Sequence, residues 1–186
     1  MEEKIIKLIK PHSLRCRPGD WNHANRVVHW VKVLGEGNPD LNLLVIAGYI
    51  HDIGWRDLIH SDKITFEQLL ELEPQANKNS EPFIREILVE LDLSEADVQK
   101  ILSFVAAADN HESQNDAEAI IVDADSLSKL TIDHLKEKFK PSEWMIMYEL
   151  WADLLPKRTV IEKAKELYPN LLENLKKEIL LPKSFE

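Results

Sequence analysis

Apolar residues recur along this chain three and four positions apart, the spacing that places them on one face of an α-helix. No stretch shows the alternation typical of a half-buried strand, and the chain contains only five glycines. The pattern predicts an all-α protein, a helical bundle that forms a single domain over residues 1–186.

The segment PDLNLLVIAGYIHDIG, from Pro39 to Gly54, is apolar on nearly every side and predicts the buried central helix of the bundle. Gly54 is suited to its carboxyl-terminal end. The helix carries adjacent His51 and Asp52 at that end. Burying such side chains unpaired is unfavourable, so they need partners. A metal ion shared with other histidines and aspartates would provide one.

The other helices are predicted from the same periodicity and from their capping residues. Asp20 is the predicted N-cap of the helix that precedes the central one. The remaining predicted helices are a short one through Ile5 and Ile9 that stops before Pro11, one from Thr65 to about Glu73 interrupted at Pro74, and those over 81–91, 94–109, 117–130, 141–155 and 159–180, the last bent at Pro169.

Two further segments offer metal-binding side chains. His23 lies in the first turn of the helix after Asp20, four residues before the inward-facing Val27. A later helix contains Asp123 and Asp125. Two imidazoles and two carboxylates suit one divalent ion such as Mn²⁺, Fe²⁺, Co²⁺, Ni²⁺ or Zn²⁺. Around a six-coordinate ion, four protein ligands leave positions for water and a substrate oxygen.

Charge and composition limit the classes of partner that the protein can bind. The net charge of −10 argues against binding to duplex nucleic acid or anionic membranes, but it allows a small phosphorylated ligand held by a few cations. The single cysteine, Cys16, fits a reducing compartment. The amino terminus is unlike a secretory signal, and no window approaches the roughly 20 apolar residues of a membrane span. We therefore expect a cytoplasmic protein.

Three stretches in order, DWNHANRV, AGYIHDIG and VDADSL, resemble the HD-domain superfamily of metal-dependent phosphohydrolases. The resemblance covers a core of about residues 18–165, and the ending PKRTVIEKAKELYPNLLENL is similar to the tail of small stand-alone members. It implies an HD-type helical domain, one metal ion, and hydrolysis of a phosphomonoester or phosphodiester, commonly of a nucleotide. The oligomeric state stays open, with a homodimer among the alternatives.

The resemblance assigns the metal to His23, His51, Asp52 and a late aspartate, with Asp52 also serving catalysis. The superfamily's apolar-small-Asp-x-Leu text aligns with Asp125, which is therefore preferred. Asp123 would then support the site as an outer carboxylate or as the partner of a histidine.

The resemblance also suggests substrate contacts. Arg26 matches the His-x-x-Arg-Val text and could hold a phosphate, with an interhelical salt bridge as the alternative. Lys129 lies one turn beyond Asp125 and could neutralise a phosphate, with a solvated lysine as the alternative. His111, in ADNHES, stands where relatives carry one or two histidines. With a single histidine there, we expect a mononuclear site in which His111 contacts the substrate or supports a metal ligand. His60 is a weaker candidate for such a contact.

Some features depart from the superfamily or leave other readings open. Trp55 stands where a lysine often follows His-Asp-Ile-Gly, so a phosphate contact is lost there. That change favours the alternative of a catalytically weak module that binds or senses a nucleotide. An oxygenase with paired iron would need more histidine ligands than the chain aligns, and a plain helical scaffold is the remaining reading. His12, His29 and His134 are predicted to be structural or exposed.

Overall fold

The structure, a computed structural model, describes residues 2–59 and 63–181. Regular structure in these two ranges is helical without a strand, which confirms the all-α prediction. The helices are α1 (Glu2–Ser13), α2 (Asp20–Leu34), α3 (Leu41–Ile50), α4 (Phe66–Leu88), α5 (Glu95–Asn110), α6 (Asp116–Ser128), α7 (Ile132–Lys138), α8 (Trp144–Arg158) and α9 (Glu162–Leu180), with short 3₁₀ turns at Ile53–Trp55 and Pro141–Glu143.

Helix α3 lies at the centre of the bundle, as its apolar sequence predicts. Every residue from Leu44 to Ile50 is buried, and the helix packs against α1, α2, α5 and α6. It is shorter than predicted, because it ends at Ile50 and a 3₁₀ turn follows. His51 and Asp52 therefore lie just beyond the helix rather than within it, where the chain changes direction.

Gly54 has a different role from the helix stop predicted for it. It lies inside the 3₁₀ turn, and a Cβ atom placed on it would come within 2.1 Å of the backbone oxygen of Ala76 and 2.6 Å of Ser80 Oγ. Only a glycine allows α4 to approach the turn this closely. The segment that carries His51 and Asp52 is thereby held against α4.

Four prolines lie inside helices whose predicted bounds or shape differ there, since we expected a stop before Pro11, an interruption between Pro74 and a new helix beginning near Pro82, and a bend at Pro169. Helix α1 continues through Pro11, and α4 is one helix that passes Pro74 and Pro82. Helix α9 likewise passes Pro169. Each proline removes one backbone hydrogen bond, but all four are exposed. The other face of each helix stays packed against the bundle, as in α4. The stability gained from this burial outweighs the cost of the missing backbone hydrogen bonds.

Helix α7 was not predicted, and it packs near the start of α2. Its Lys138 is buried and forms an ion pair with Asp20, whose carboxylate also accepts from the backbone N–H of Arg17 at 2.7 Å. Asp20 is therefore the first helical residue rather than the predicted N-cap, a position that Gly19 occupies with a φ of 79°. Within the described ranges, no helix combines the length and the apolar run needed to cross a bilayer.

Candidate metal centre

The predicted metal ligands come together in one cluster near the middle of the bundle. His23 lies in the first turn of α2, His51 and Asp52 follow α3, and Asp125 lies in the last turn of α6. Because α2 packs against both α3 and α6, residues distant in sequence become neighbours. The two histidines and Asp125 are buried, and Asp52 is half-buried.

The ligand atoms of this cluster face a common centre. The Nε2 atoms of His23 and His51 are 3.2 Å apart. His23 Nε2 lies 3.1 Å from Asp125 Oδ1 and 3.6 Å from Asp52 Oδ2. For His51 Nε2, the distances to these oxygens are 3.7 Å and 3.4 Å. Ligands about 2.1 Å from one ion are separated by about 3.0 Å in neighbouring octahedral positions and by about 3.4 Å in a tetrahedron. The ligand atoms of His23, His51 and Asp52 all lie within 4.8 Å of one another, a spacing that suits a single ion. Asp125 Oδ1 lies close to the two imidazoles of this group.

Hydrogen bonds on the far side of each imidazole fix its tautomer. His51 Nδ1 lies 3.0 Å from the carbonyl oxygen of Gly48, which can only accept, so Nδ1 carries the hydrogen. Ser128 Oγ lies 3.1 Å from His23 Nδ1 and donates its own hydrogen to the Asp125 carbonyl at 2.6 Å. That hydroxyl must therefore accept from His23 Nδ1. Both Nε2 atoms present lone pairs to the centre, the form that binds a metal.

Two carboxylate oxygens complete the cluster. Within the described part of the chain, Asp52 Oδ2 and Asp125 Oδ1 are buried and have no hydrogen-bond donor. They face imidazole nitrogens that also carry lone pairs. Arg17 offsets the charge of Asp52 Oδ2 from 2.6 Å, but Asp125 Oδ1 and the two imidazole lone pairs have no positive partner on this side among the described residues. Buried lone pairs without such a partner are unfavourable. The residues present thus fit a divalent ion with mixed nitrogen and oxygen ligands.

Arg17 reaches the same cluster from the loop before α2. Its Nη2 lies 2.6 Å from Asp52 Oδ2, an ion pair without the alignment of a hydrogen bond. Its guanidinium lies 4.2 Å above the ring of Trp55. Burial raises the pKa of Asp52, but Arg17 and the two imidazoles outweigh burial and hold that pKa well below its usual range. Trp55 thus packs against a cation beside the cluster.

Lys129 occupies the second oxygen of Asp125. Its Nζ donates to Asp125 Oδ2 at 2.6 Å, one helical turn along α6, which leaves Oδ1 to face the centre. Burial raises the pKa of Asp125, yet Lys129 and His23 together bring it well below the usual range. Asp125 is therefore a carboxylate, as a metal ligand must be.

Asp123 lies on the other side of α6 and does not reach the cluster. Its carboxylate accepts from the backbone N–H of Ile161 at 2.8 Å and of Val160 at 3.1 Å. Residues two apart on a helix point about 200° away from one another, so only one of the two aspartates can face the imidazoles. That one is Asp125. The partners of Asp123 are backbone amides rather than the histidine considered for it.

A cavity of about 540 Å³ is lined by the cluster and by several cationic or titratable groups. Lys129 lines it, as does Arg158 at the end of α8, and Arg158 has no ion-pair partner among the residues that the structure describes. His111 lines it from the left-handed position that ends α5, with a φ of 54°. Burial, with a further contribution from Lys129, lowers the pKa of His111 to about 4. This imidazole is therefore neutral at pH 7.

Asp109 also lines the cavity, from the last turn of α5. Ser80 Oγ donates to its Oδ2 at 3.4 Å, and no cation pairs with it in the described ranges. Burial, reinforced by the negative charge of Asp52, raises the pKa of Asp109 to about 7. Without a bound ion, this carboxyl holds a proton in about half of the molecules at neutral pH.

Arg26, expected to contact phosphate, is directed away from the cavity. Its Nη2 donates to Glu137 Oε2 at 2.9 Å and lies 3.3 Å from His134 Nδ1. It is not part of the cavity lining. The interhelical salt bridge, which was the alternative for Arg26, is the observed arrangement.

His134 is buried beside the cluster. Its ring centroid lies 5.0 Å from that of His23 and 5.7 Å from that of Trp151. Burial, and then the neighbouring His23 and Arg26, hold its pKa well below the usual range. It is a neutral aromatic part of the cavity lining.

The remaining histidines do not join the cluster within the described residues. His12 Nδ1 lies 2.9 Å from Arg56 Nη1, and His29 is exposed. His60 lies outside the described residues.

Sequence reasoning missed several residues of the site. Ser128 follows Asp125 by three positions, so helical spacing could have marked it. Asp109 lies two positions before His111 and could have been weighed with it. Arg17 lies in a loop and Arg158 at a helix end, where helical periodicity does not indicate which way a side chain points.

Comparisons of the chain with protein-family models, with curated proteins and with solved structures give no match in any of the three. What the site can do is therefore inferred from its own residues.

Proposed function

We propose that this protein is a metal-dependent phosphohydrolase that cleaves the phosphate ester of a small compound. The proposal is carried by two imidazole lone pairs and two carboxylate oxygens without a hydrogen-bond donor, with 3.1 to 3.7 Å between each imidazole nitrogen and the other nitrogen or either oxygen. Lys129 and Arg158 line the cavity there. The resemblance of DWNHANRV, AGYIHDIG and VDADSL to HD-domain phosphohydrolases supports the same chemistry.

A divalent ion held by His23, His51, Asp52 and Asp125 would polarise a phosphoryl oxygen and lower the pKa of a water molecule at an open position. The surrounding chain keeps these four ligands in their binding form. Gly48 and Ser128 fix the tautomers of the imidazoles. Lys129 and Arg17 hold the pKa values of the two carboxyls low.

Cationic side chains of the cavity would receive the phosphoryl group. Negative charge on the phosphoryl oxygens must be stabilised during transfer, and positioned cations provide this stabilisation. Lys129 lies beside a metal ligand, and its side chain is 24% exposed. Arg158 has no competing ion pair in the described ranges and is free to bind an anion bidentately. His111, being neutral, can donate a hydrogen bond to a phosphoryl oxygen.

Asp109 is the residue we assign to protonation of the leaving oxygen. An alkoxide is a poor leaving group unless it receives a proton. Asp109 lines the cavity and retains its proton to a higher pH than an ordinary aspartate. A bound dication would offset the charge of Asp52, which is the second cause of the raised pKa, but burial, the first cause, would still favour the protonated carboxyl.

The alternative was a module that binds or senses a nucleotide without turning it over, and the reason for it was Trp55. That side chain supports Arg17, whose Nη2 lies 2.6 Å from Asp52. Arg17 is also paired with Asp20, so it does not take over the phosphate contact of a lysine, and a turnover measurement separates the two functions.

The test combines metal analysis with turnover on one preparation. The metal-depleted chain is reloaded with Mn²⁺, Fe²⁺, Co²⁺, Ni²⁺ or Zn²⁺ and assayed with p-nitrophenyl phosphate, bis(p-nitrophenyl) phosphate and nucleoside monophosphates. We expect about one ion per chain and metal-dependent hydrolysis. His51→Ala should lose both, whereas His29→Ala, at an exposed histidine, should keep both.

Several results would separate the alternatives. No turnover across the panel with metal bound would overturn the proposal, and a nucleotide-induced rise in Tm without turnover would instead support a binding module. Two irons per chain would point to an oxygenase. Unchanged metal content in His51→Ala would indicate a scaffold.

A further inference from the structure

The cavity has two chemically different parts. One part holds the metal cluster, Lys129 and Asp109. The other is lined by apolar side chains from α8 and from the first turns of α4. A ligand that fills the cavity must therefore be polar at one end and apolar along its remaining length.

Helix α8 supplies the longest apolar wall. Met147, Leu150, Trp151, Leu154 and Leu155 line the cavity at helical spacing and so form one continuous face of the helix. The rise of a helix makes this stretch about 12 Å long. The face ends in Arg158, the next lining residue, so a cation follows the apolar surface directly.

Helix α4 adds to the apolar part of the lining. Phe66 and Leu69 line the cavity from its first turn and are half-buried. Leu70 also lines it and is 53% exposed. An apolar group of the ligand would meet the side chains of both α4 and α8, and a longer one would extend toward the exposed Leu70.

Polar residues also line the cavity away from the metal cluster, and one of them, Glu73 on α4, is half-buried. Asn77 and Asn110 are both exposed. A nucleoside lying along α8 would turn its base and ribose hydroxyls toward aliphatic and aromatic side chains, and buried polar groups without partners are unfavourable. An alkyl or aryl group meets no such penalty.

We propose that the substrate is a phosphomonoester whose alcohol carries an extended apolar group, which packs along the α8 face while the phosphate lies at the metal cluster beside Lys129. This inference rests on the proposed phosphohydrolase function. It replaces the nucleotide as first choice. Trp151 could stack on a base, but the wall along α8 contains no carboxylate, amide or hydroxyl group that would pair with the polar edge of one.

The experiment measures kcat/KM of the Mn²⁺-loaded chain for ethyl, butyl and hexyl phosphate and for AMP, with p-nitrophenyl phosphate as the activity standard. We expect kcat/KM to rise at least 30-fold from ethyl to hexyl phosphate, mainly through KM, and to exceed that for AMP. Leu154→Gln places an amide on the apolar wall and should reduce the hexyl-to-ethyl ratio about 10-fold. Ile146→Gln is the matched control, because Ile146 lies on the exposed face of the same helix, and it should keep the ratio.

The outcomes distinguish failure of the apolar-substrate proposal from failure of the phosphohydrolase proposal. Hydrolysis of p-nitrophenyl phosphate with no dependence on chain length, or with AMP preferred, overturns the apolar substrate and leaves the phosphohydrolase standing. No hydrolysis of any ester with metal bound overturns the proposed function. In that event, hexyl phosphate must still raise Tm more than ethyl phosphate for the apolar ligand class to survive. Equal loss of the ratio in both variants would show that the α8 wall is not responsible.

Discussion

Ser128 accepts the Nδ1 hydrogen of His23 at 3.1 Å while donating its own hydrogen to a backbone carbonyl. The hydroxyl therefore directs the Nε2 lone pair of His23 toward the cluster. Replacing Ser128 with alanine should leave His23 in place but free to adopt the other tautomer. Partners of metal-bound histidines typically contribute a factor of about 10 to 100 in metal affinity.

We accordingly expect Ser128→Ala to weaken Mn²⁺ or Zn²⁺ binding by about 10-fold, as measured by competition with a chelator. Ser103→Ala is the control, since Ser103 on α5 bonds to Glu118 rather than to the cluster. Equal metal affinities in the two variants would show that Ser128 does not contribute to metal binding.

The two aspartates of α6 should respond differently to substitution. Asp125→Asn removes a charged ligand and should abolish metal binding while the helical circular dichroism remains. Asp123→Ala leaves the N–H groups of Val160 and Ile161 without their acceptor. It should lower the free energy of unfolding by about 1 to 3 kcal/mol, with metal stoichiometry preserved. The reverse pattern would show that Asp123 is the ligand.

The proposed proton donation by Asp109 predicts a dependence on the leaving group. Asp109→Asn should lower kcat for butyl phosphate by about 100-fold or more. It should change kcat for p-nitrophenyl phosphate far less, because nitrophenolate leaves without a proton. Asp116→Asn, at an exposed aspartate that begins α6, is the control. Equal losses on both esters would indicate a role in positioning rather than in proton transfer.

The raised pKa of Asp109 also predicts how stability changes with pH in the metal-free protein. The folded carboxyl titrates near pH 7 rather than at its ordinary value of 3.8. Between these values the folded state binds a proton that the unfolded state lacks, so this residue costs increasing stability as pH rises toward 7. His23 and His111, whose pKa values are both lowered to about 4 by burial, act in the opposite direction.

Asp109→Asn removes only the loss of stability with rising pH that Asp109 causes, and it leaves the histidine effects in place. In urea unfolding with a chelator present, we expect the gain in free energy of unfolding over wild type to be on the order of 2 kcal/mol larger at pH 8 than at pH 5. The histidine contributions cancel in this comparison. A gain that is the same at both pH values would show that Asp109 titrates normally.

Gly54→Ala tests the close contact between the 3₁₀ turn and α4. The new Cβ would lie 2.1 Å from the Ala76 oxygen, so the helix backbone must move. We expect a loss of about 1 to 3 kcal/mol in the free energy of unfolding, measured by chemical denaturation. Adding Ser80→Ala should recover little of it, because the shortest contact is with backbone. Full recovery would locate the clash at the Ser80 side chain instead.

Helical periodicity predicted the helices and also which side chains face inward, and His23 is on the same face as Val27 just as the spacing requires. The ligand set came from the resemblance, and metal binding by it stays a prediction. Sequence patterning does not predict the course of a helix or the orientation of a side chain where packing against other helices determines it. Continuous helices through exposed Pro74 and Pro82 depend on the buried opposite face. Arg26 turns to Glu137 on α7, a helix that no periodicity predicted.

The contacts of Arg17 show a further limit of sequence patterning. From the loop before α2 this side chain pairs with Asp20 and Asp52, and its guanidinium lies 4.2 Å from the Trp55 ring. These segments meet only in the folded state, so helical spacing does not predict the contacts.

Asp123 ties the segment before α9 to one side of α6, while Asp125 on the other side faces the metal cluster. Val160, bonded to Asp123, lies two residues after Arg158. The backbone beside Arg158 is therefore hydrogen-bonded to the helix that carries Asp125. The two contacts lie on opposite sides of α6, about 10 Å apart with side chains, so a tilt of α6 would move Arg158 and Asp125 together.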